Sequence, residues 1–166
     1  VIYTASTKFY NSDKKEGKPW ITKIPFPVHV VEKVETYDKI SNNRFVTRYA
    51  YHHGYFDGIE REFRGFGMVE QWDTEDYEYD PKTAVNNQNP AFDLPPVHTK
   101  TWFHTGAYLD GTKISRQFEE GYFKEPVPKP EELLLPDTIL PEKLSVEEER
   151  EACRALRGSI LRQEIY

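Results

Sequence analysis

Residues 44–72 read RFVTRYAYHHGYFDGIEREFRGFGMVEQW. From Arg44 to His53, alternation places Phe45, Thr47, Tyr49, Tyr51 and His53 on one side and Arg44, Val46, Arg48, Ala50 and His52 on the other. That period of two belongs to a strand. Gly54-Tyr55-Phe56-Asp57-Gly58 supplies a turn, because Asp-Gly accepts positive φ. A second strand then runs from Ile59 to Trp72, with Ile59, Arg61 and Phe63 set against Glu60, Glu62 and Arg64. The two make a hairpin over 44–72, and its acidic residues are expected to pair across the ladder with Arg48 or Arg44, each pair worth about 0.2–1 kcal/mol. Gly65 and Gly67 inside a strand mark a bulge or a tight approach by another backbone.

Working outward, Val1 to Thr4 opens with β-formers, and a Lys8-Phe9-Tyr10 run ends at the turn-forming Asn11-Ser12-Asp13. Lys14 to Lys18 reads as an exposed turn. Val28 to Tyr37 reads as one long, irregular strand, closed by a turn over Asp38–Asn43. Asp73 to Pro96 is acidic and then Asn/Pro-rich, without period, and is expected to be a long loop that contacts something outside the fragment. Val97 to Tyr108 returns to strand character. Ile114, Phe118 and Tyr122 lie four apart and suggest a short helix over 114–123. Five prolines between Glu125 and Pro141 exclude regular helix or central strand there, leaving a strap laid over a surface.

The most secure helix starts at Ser145-Val146-Glu147-Glu148, a capping box in which Ser145 and Glu148 satisfy each other's backbone amides. Val146, Ala152, Cys153 and Leu156 form its buried stripe, and Gly158 closes it. Ser159 to Tyr166 is a final strand that wants a partner. The fold class is therefore mainly β: an antiparallel sheet with long proline-rich straps and one short C-terminal helix at about 145–157. It divides into a strand-rich part (1–80), loops with a strand and the strap (81–141), and the capped helix with its strand (142–166). The chain of 166 residues starts at Val1 and shows no signal segment; it reads as a single segment cut from a longer protein.

Composition narrows function. Twenty-two basic against 28 acidic residues give a net charge of −6, the wrong sign for displacing counterions from nucleic acid or for attraction to anionic lipid. The longest apolar run is Leu133-Leu134-Leu135, far short of a membrane span. The single Cys153 cannot form an internal disulfide, excludes the usual zinc cage and, on the apolar side of a helix, reads as an inert thiol. His52 and His53 point to opposite faces of a strand, and together with His98 and His104 they offer no metal-ligand spacing. No metal and no cofactor is expected. Gly54, Gly58, Gly65 and Gly67 do not fit a GxGxxG loop. The acidic run Asp73–Asp80 reads as a solvated loop, with a calcium site a distant second.

Two catalytic or binding readings remain beside a structural one. Glu60 and Glu62 could serve a glycosidase as paired carboxylates, although ladder partnership accounts for them. Trp20, Trp72 and Trp102 could build a sugar-stacking platform of a freestanding carbohydrate-binding module, although aromatics (11 Tyr, 10 Phe and 3 Trp) must also fill the core of a chain with one Met.

The motif residues Tyr49, Tyr51, Gly54, Asp57, Gly58, Arg61, Phe63, Gly65, Phe66 and Gly67 carry a resemblance. Arg48-Tyr49-Ala50-Tyr51, the Asp57-Gly58 turn and Arg61 look like a degenerate tyrosine–aspartate (YD/RHS) repeat. The run YHHGYFDG followed by REFRGFG is more specific. It resembles the B component of bacterial insecticidal toxin complexes (Tc toxins) and their SpvB-like relatives, in the region between propeller and RHS repeats. Pro19 to Lys23, Phe26 to Val31, Lys100 to Gly106, Glu148 to Ala152 and Leu156 to Glu164 agree with it in order along the chain. The resemblance implies a non-catalytic wall segment of a secreted or released toxin. In that family the B component and the N-terminal part of the C component wrap a hollow β-shell around the toxic C-terminal enzyme. The expected partners are thus the rest of its own chain, the C component, and the A component indirectly through the propeller, with no nucleic acid and no direct membrane insertion. Tyr49, Tyr51, Phe63 and Phe66 are the expected packing anchors.

Overall fold

The computed structural model describes residues 1–40, 43–75, 95–109 and 113–166. Its centre is the expected hairpin, made of β3 (Asn43–Asp57) and β4 (Glu62–Glu75), paired antiparallel from Phe45↔Glu75 to Asp57↔Glu62. The first strand is longer than the alternation suggests, the second is displaced by three residues towards the C-terminus, and the turn lies at Gly58–Arg61 rather than Gly54–Gly58. Asp57 explains the displacement: its Oδ1 accepts from the amides of Ile59 and Glu60 at 2.9 and 3.1 Å, an Asx turn that reverses the chain after Asp57. Arg61 closes the loop at φ 53°.

Around the hairpin, β1 (Ile2–Ala5), β2 (His29–Asp38), β5 (Val97–Phe103) and β6 (Ile160–Ile165) complete one six-stranded sheet in the order β1-β2-β3-β4-β5-β6, every neighbour antiparallel. The fold is mainly β, as expected. The loop read over 73–96 falls for residues 76–94 outside the described residues.

Two helical readings change. Residues 7–15, read as a short extended run and turn, form helix α1 (Thr7–Lys15). Its N-terminus has no side-chain cap and no acidic residue in the first turn, so tertiary packing holds it. Phe9 meets Tyr51 at 5.8 Å between ring centroids and Tyr10 meets Trp20 at 5.3 Å. The helix expected over 114–123 is only a 3₁₀ turn at Glu119–Gly121. Ile114, Phe118 and Tyr122 are buried as their spacing implied, but the strap satisfies the backbone: the Asp137 carboxylate accepts from the amides of Ile114 and Ser115 at 2.9 and 2.6 Å.

The strap itself contains one 3₁₀ turn, Pro130–Leu133, and is otherwise irregular. Arg116 donates to its Leu134 and Leu135 carbonyls. Helix α2 (Val146–Ala155) begins with the expected capping box. Cys153 is fully buried, whereas Val146 is 63 % exposed. The N-terminal turn projects past the packed surface, and the basic C-terminal half makes the contacts. At Gly158, φ +82°, the chain leaves the helix; its amide donates to the His104 carbonyl at 2.8 Å and the His104 amide to the Ser159 carbonyl at 2.9 Å. That clip delivers β6 to β5, which is the partner the last strand wanted.

The core has two parts. Phe9, Trp20 and Val30 gather Tyr10, Ile24, Val28, Ala50, Tyr51 and Phe66. Trp102, Phe118 and Tyr122 gather Met68, Leu134 and Leu161. Burying each large side chain contributes about 1.5–3 kcal/mol, so the aromatics supply the core of this Leu-poor chain.

Candidate functional site

The β3–β4 hairpin is where three otherwise separate segments meet. At Gly54 the N-terminal segment presses in: a Cβ there would lie 2.1 Å from Ile24 Cδ1 and 3.0 Å from Trp20 Cζ3. At Gly67 the 114–123 segment presses in, with Phe118 Cζ 2.4 Å from where a Cβ would sit. The reading of a tight approach was right, but side chains make it, not backbone. His53, at φ 55°, ties both segments to the hairpin. Its Nδ1 accepts from the Ile21 amide at 3.1 Å, its carbonyl accepts from the Thr22 hydroxyl at 2.6 Å, and its ring stacks on Phe118 at 5.1 Å. Burial, reinforced by the neighbouring His52, pushes the His53 pKa down to about 4. The ring is neutral at pH 7, with its proton on Nε2.

Gly65 does the other work glycine was expected to do. It sits at φ +96° beside a register shift, with Tyr55 opposite Gly65 and Phe56 opposite Phe63, so Arg64 is the extra residue of a bulge. The bulge sends the Arg64 side chain inward, where it is only 3 % exposed. Its guanidinium donates to the Gly106 carbonyl at 2.9 Å and pairs with Asp57 Oδ2 at 2.9 Å. Burial raises the Asp57 carboxyl, but the amides of Glu60 and Ile59 and the guanidinium groups of Arg64 and Arg150 outweigh it and hold Asp57 below the usual range. Arg150 of α2 approaches Asp57 at 3.7 Å.

The third segment is α2 itself. Glu60 and Glu62 do not pair with Arg44 or Arg48: Arg44 bonds Glu35 of β2 at 2.9 Å, and Arg48 stands opposite Lys33 and Trp72. Because the turn begins later than expected, both glutamates reach α2. Arg157 pairs with Glu62 at 2.5 Å, and Arg154 lies within 4.0 Å of Glu60 and Glu62. These pairs are partly exposed and individually weak; the buried Asp57–Arg64 pair fixes geometry.

Of the motif residues, Tyr51, Phe66 and Phe63 form a continuous aromatic row, Phe66 lying 5.0 Å from Tyr51, 5.6 Å from Phe63 and 6.1 Å from Trp20. Tyr49 adjoins Tyr51 at 6.5 Å. Gly54, Asp57, Gly65 and Gly67 hold the junctions just described, Gly58 begins the turn with open space around it, and Arg61 points to solvent. Sequence reading missed Arg64, His53 and Phe118 as junction residues. The signal for Arg64 was its position beside a strand glycine, which a bulge turns inward.

A cavity of about 900 Å³ adjoins the hairpin, bounded by Asp13, His52, Glu70, Trp72, Lys100 and Trp102 among others. Asp13 accepts from Trp20 Nε1 at 2.6 Å and contacts His52 Nδ1 at 2.5 Å; Glu70 contacts His98 Nε2 at 2.8 Å. His52 and His98 are thus engaged as partners of carboxylates. Among the described residues, no three or more His, Cys, Asp or Glu are grouped to hold a metal. Trp20 and Trp102 are 5 % and 1 % exposed and Trp72 stacks on His98 at 4.5 Å. Two of the three tryptophans of the sugar-platform reading are therefore interior.

Residues 1–106 match the family described as the insecticide toxin TcdB middle/N-terminal region. The chain belongs to that family. The TcdB2–TccC3 crystal structure aligns with 99 % of this TcdB-family chain at 28 % identity and a TM-score of 0.75. The Photorhabdus luminescens Tc holotoxin pore gives 28 % identity, the same 99 % coverage and a TM-score of 0.74. TcdB2–TccC3 without its hypervariable C-terminal region gives 28 %, 99 % and 0.67. The chain spans 8 % of the length of each of these matched chains. No curated protein sequence matches. The TcdB-family segment is a structural part of a Tc-toxin B component, and none of its described helices is long and apolar enough to cross a membrane.

Proposed function

We propose that this segment is a non-catalytic wall piece of the hollow β-shell in which a Tc-toxin B component and its C component enclose the toxic C-terminal enzyme. It lies next to the RHS (YD) repeats of a secreted or released toxin, touches the C component through the shared shell, and reaches the A component only through the propeller. The supporting observation is the clasped hairpin: three segments converge on Gly54, Gly67 and Asp57–Arg64, an arrangement that stiffens a sheet. The resemblance of the whole segment to TcdB2 in complex with TccC3 agrees with it.

The test is Phe66→Asp in the full-length B component, co-produced with its C component. A carboxylate against Trp20, Tyr51 and Phe63 should destroy the aromatic row, and the enclosed domain should become protease-sensitive and fail to co-purify. An intact complex that retains and protects its cargo would count decisively against the wall reading.

A further inference from the structure

The cavity of about 900 Å³ beside the hairpin takes no part in clasping the three segments, yet chemistry converges on it. Two rungs of the sheet lie along it: Ala50 opposite Glu70 opposite Lys100, and His52 opposite Met68 opposite Trp102. Helix α1 adds Asp13, the residue after it adds Glu16, and the 118–121 turn adds Phe118 and Glu120. Asp13, Glu16, Glu70 and Glu120 outnumber Lys18 and Lys100 in the lining, so carboxylates prevail over ammonium groups. The innermost polar groups are also short of a donor. His52 Nδ1 faces the Asp13 carboxylate at 2.5 Å; a carboxylate only accepts, so Nδ1 holds the proton and Nε2 of the neutral ring is a bare acceptor. Nε2 is buried without a hydrogen-bond partner among the described residues and faces Glu70 Oε1 across 3.8 Å. Glu70 gives its other oxygen to His98 at 2.8 Å, and Lys100 stands 3.8 Å from Oε1, beyond hydrogen-bond length. Two acceptors thus face each other with no donor between them.

We propose that this cavity binds an alkyl cation, an ammonium or guanidinium head on a short apolar stem, whose head donates to His52 Nε2 and Glu70 Oε1 together. A nitrogen about 2.9 Å from each acceptor spans their separation of 3.8 Å. Such a head brings several N–H donors and no acceptor, which is what the two facing acceptors lack. Its charge meets the Glu70 and Asp13 carboxylates, and the aromatic lining of Trp72 and Trp102 suits a cation. Ala50, Met68 and Phe118 offer apolar contact to the stem. A bare metal ion matches poorly: among the described residues no three ligating groups are gathered, and the volume is in the range of organic ligands. Anions are opposed by the carboxylate excess. The head can come from a free amine or from a lysine or arginine side chain of a polypeptide, and its recognition is the same in both cases. The inference needs only the cavity and stands apart from the wall reading.

The test is calorimetric titration of the full-length B component with agmatine, whose alkyl stem carries both kinds of head. Saturable binding is expected. Glu70→Gln should weaken it about 10- to 100-fold, whereas Lys100→Met, which removes the ammonium already beside Glu70, should tighten it. Lys100→Met also keeps the proposal falsifiable where Glu70→Gln fails to fold. Repeating the titration on the B–C complex separates the two sources. Unchanged agmatine binding assigns the head to a free amine; exclusion of agmatine assigns it to a side chain of the C component, which carbodiimide coupling to Glu70 identifies when it is a lysine. Either result supports the site. No saturable binding to the B component alone overturns it, and is the outcome if His52 takes a second proton and meets Glu70 itself. Equal binding of the neutral butylurea, or an affinity for agmatine indifferent to both substitutions, also overturns it. Cargo retention enters none of these readouts, so failure of the wall reading and failure of the site are distinguishable.

Discussion

Gly67→Ala separates close packing from backbone freedom. Gly67 does not have positive φ, so alanine is allowed there and, judged on chain entropy alone, should stabilise the strand by about 0.5–1 kcal/mol. The new Cβ, however, would lie 2.4 Å from Phe118 Cζ and 2.9 Å from both Cε atoms. That ring cannot retreat: it is 1 % exposed, packed with Trp102 and Tyr122 and stacked on His53. Overpacking of this kind costs about 1–3 kcal/mol. The net effect is a loss of about 1–2 kcal/mol, a factor of about 5–30 in local opening. Hydrogen exchange of β4 peptides in the full-length B component reads this directly. Phe118→Leu in the same background should restore part of the protection, with a coupling of about 0.5–3 kcal/mol. Slower exchange in Gly67→Ala than in the parent, or strict additivity with Phe118→Leu, would refute the close approach as the reason for glycine.

Asp57→Asn keeps an acceptor for the turn amides but leaves Arg64, 3 % exposed, with the Gly106 carbonyl at 2.9 Å and, as its remaining carboxylate, the looser Glu62 at 3.4 Å. An unpaired buried charge costs about 3–5 kcal/mol, so the hairpin should open measurably in exchange experiments, and a second change, Arg64→Met, should recover part of the loss. His53 has a folded pKa of about 4 against an ordinary 6.5. The unfolded chain therefore takes up the proton first, and stability present above pH 6.5 is lost as pH falls towards 4, by about 2–3 kcal/mol. Exchange of residues 43–75, normalised to intrinsic rates, should accelerate across that window, and His53→Gln should flatten the change. Burial raises the Cys153 thiol, with Glu149 and Asp137 adding to the shift. Native Cys153 should label with iodoacetamide far more slowly than after unfolding; equal rates would place it at the surface.

Legibility followed the range of the forces involved. The strand alternation of 44–52 and the Ser145–Glu148 box are local, and both stand in the structure; at His53 the left-handed φ breaks the alternation, so that His52 and His53, expected on opposite faces, line one cavity. The turn moved because Asp57 has two uses, as acceptor for the Ile59 and Glu60 amides and as partner of Arg64, and only the first is visible in a dipeptide. α1 was invisible because its stabilising partners, Tyr51, Trp20 and His52, lie 7–42 positions away and its N-terminus lacks a side-chain cap. The spacing of Ile114, Phe118 and Tyr122 reported burial correctly and conformation wrongly: the backbone turns only through Glu119–Gly121, and Asp137 of the strap anchors the amides at the start of the segment.

The glycines show why a motif legible as a string is not yet legible as mechanism. Gly54 and Gly67 are needed for the absence of a side chain, and Gly65 for its φ. Substitution distinguishes these cases in sign and in rescue. A smaller Phe118 relieves a methyl at position 67, and a shorter residue at Ile24 relieves one at position 54. Nothing relieves one at Gly65, where open space surrounds the Cβ and the left-handed backbone itself costs about 1–2 kcal/mol. Three glycines within 14 residues therefore serve two physical ends, both of which let distant segments close on one hairpin.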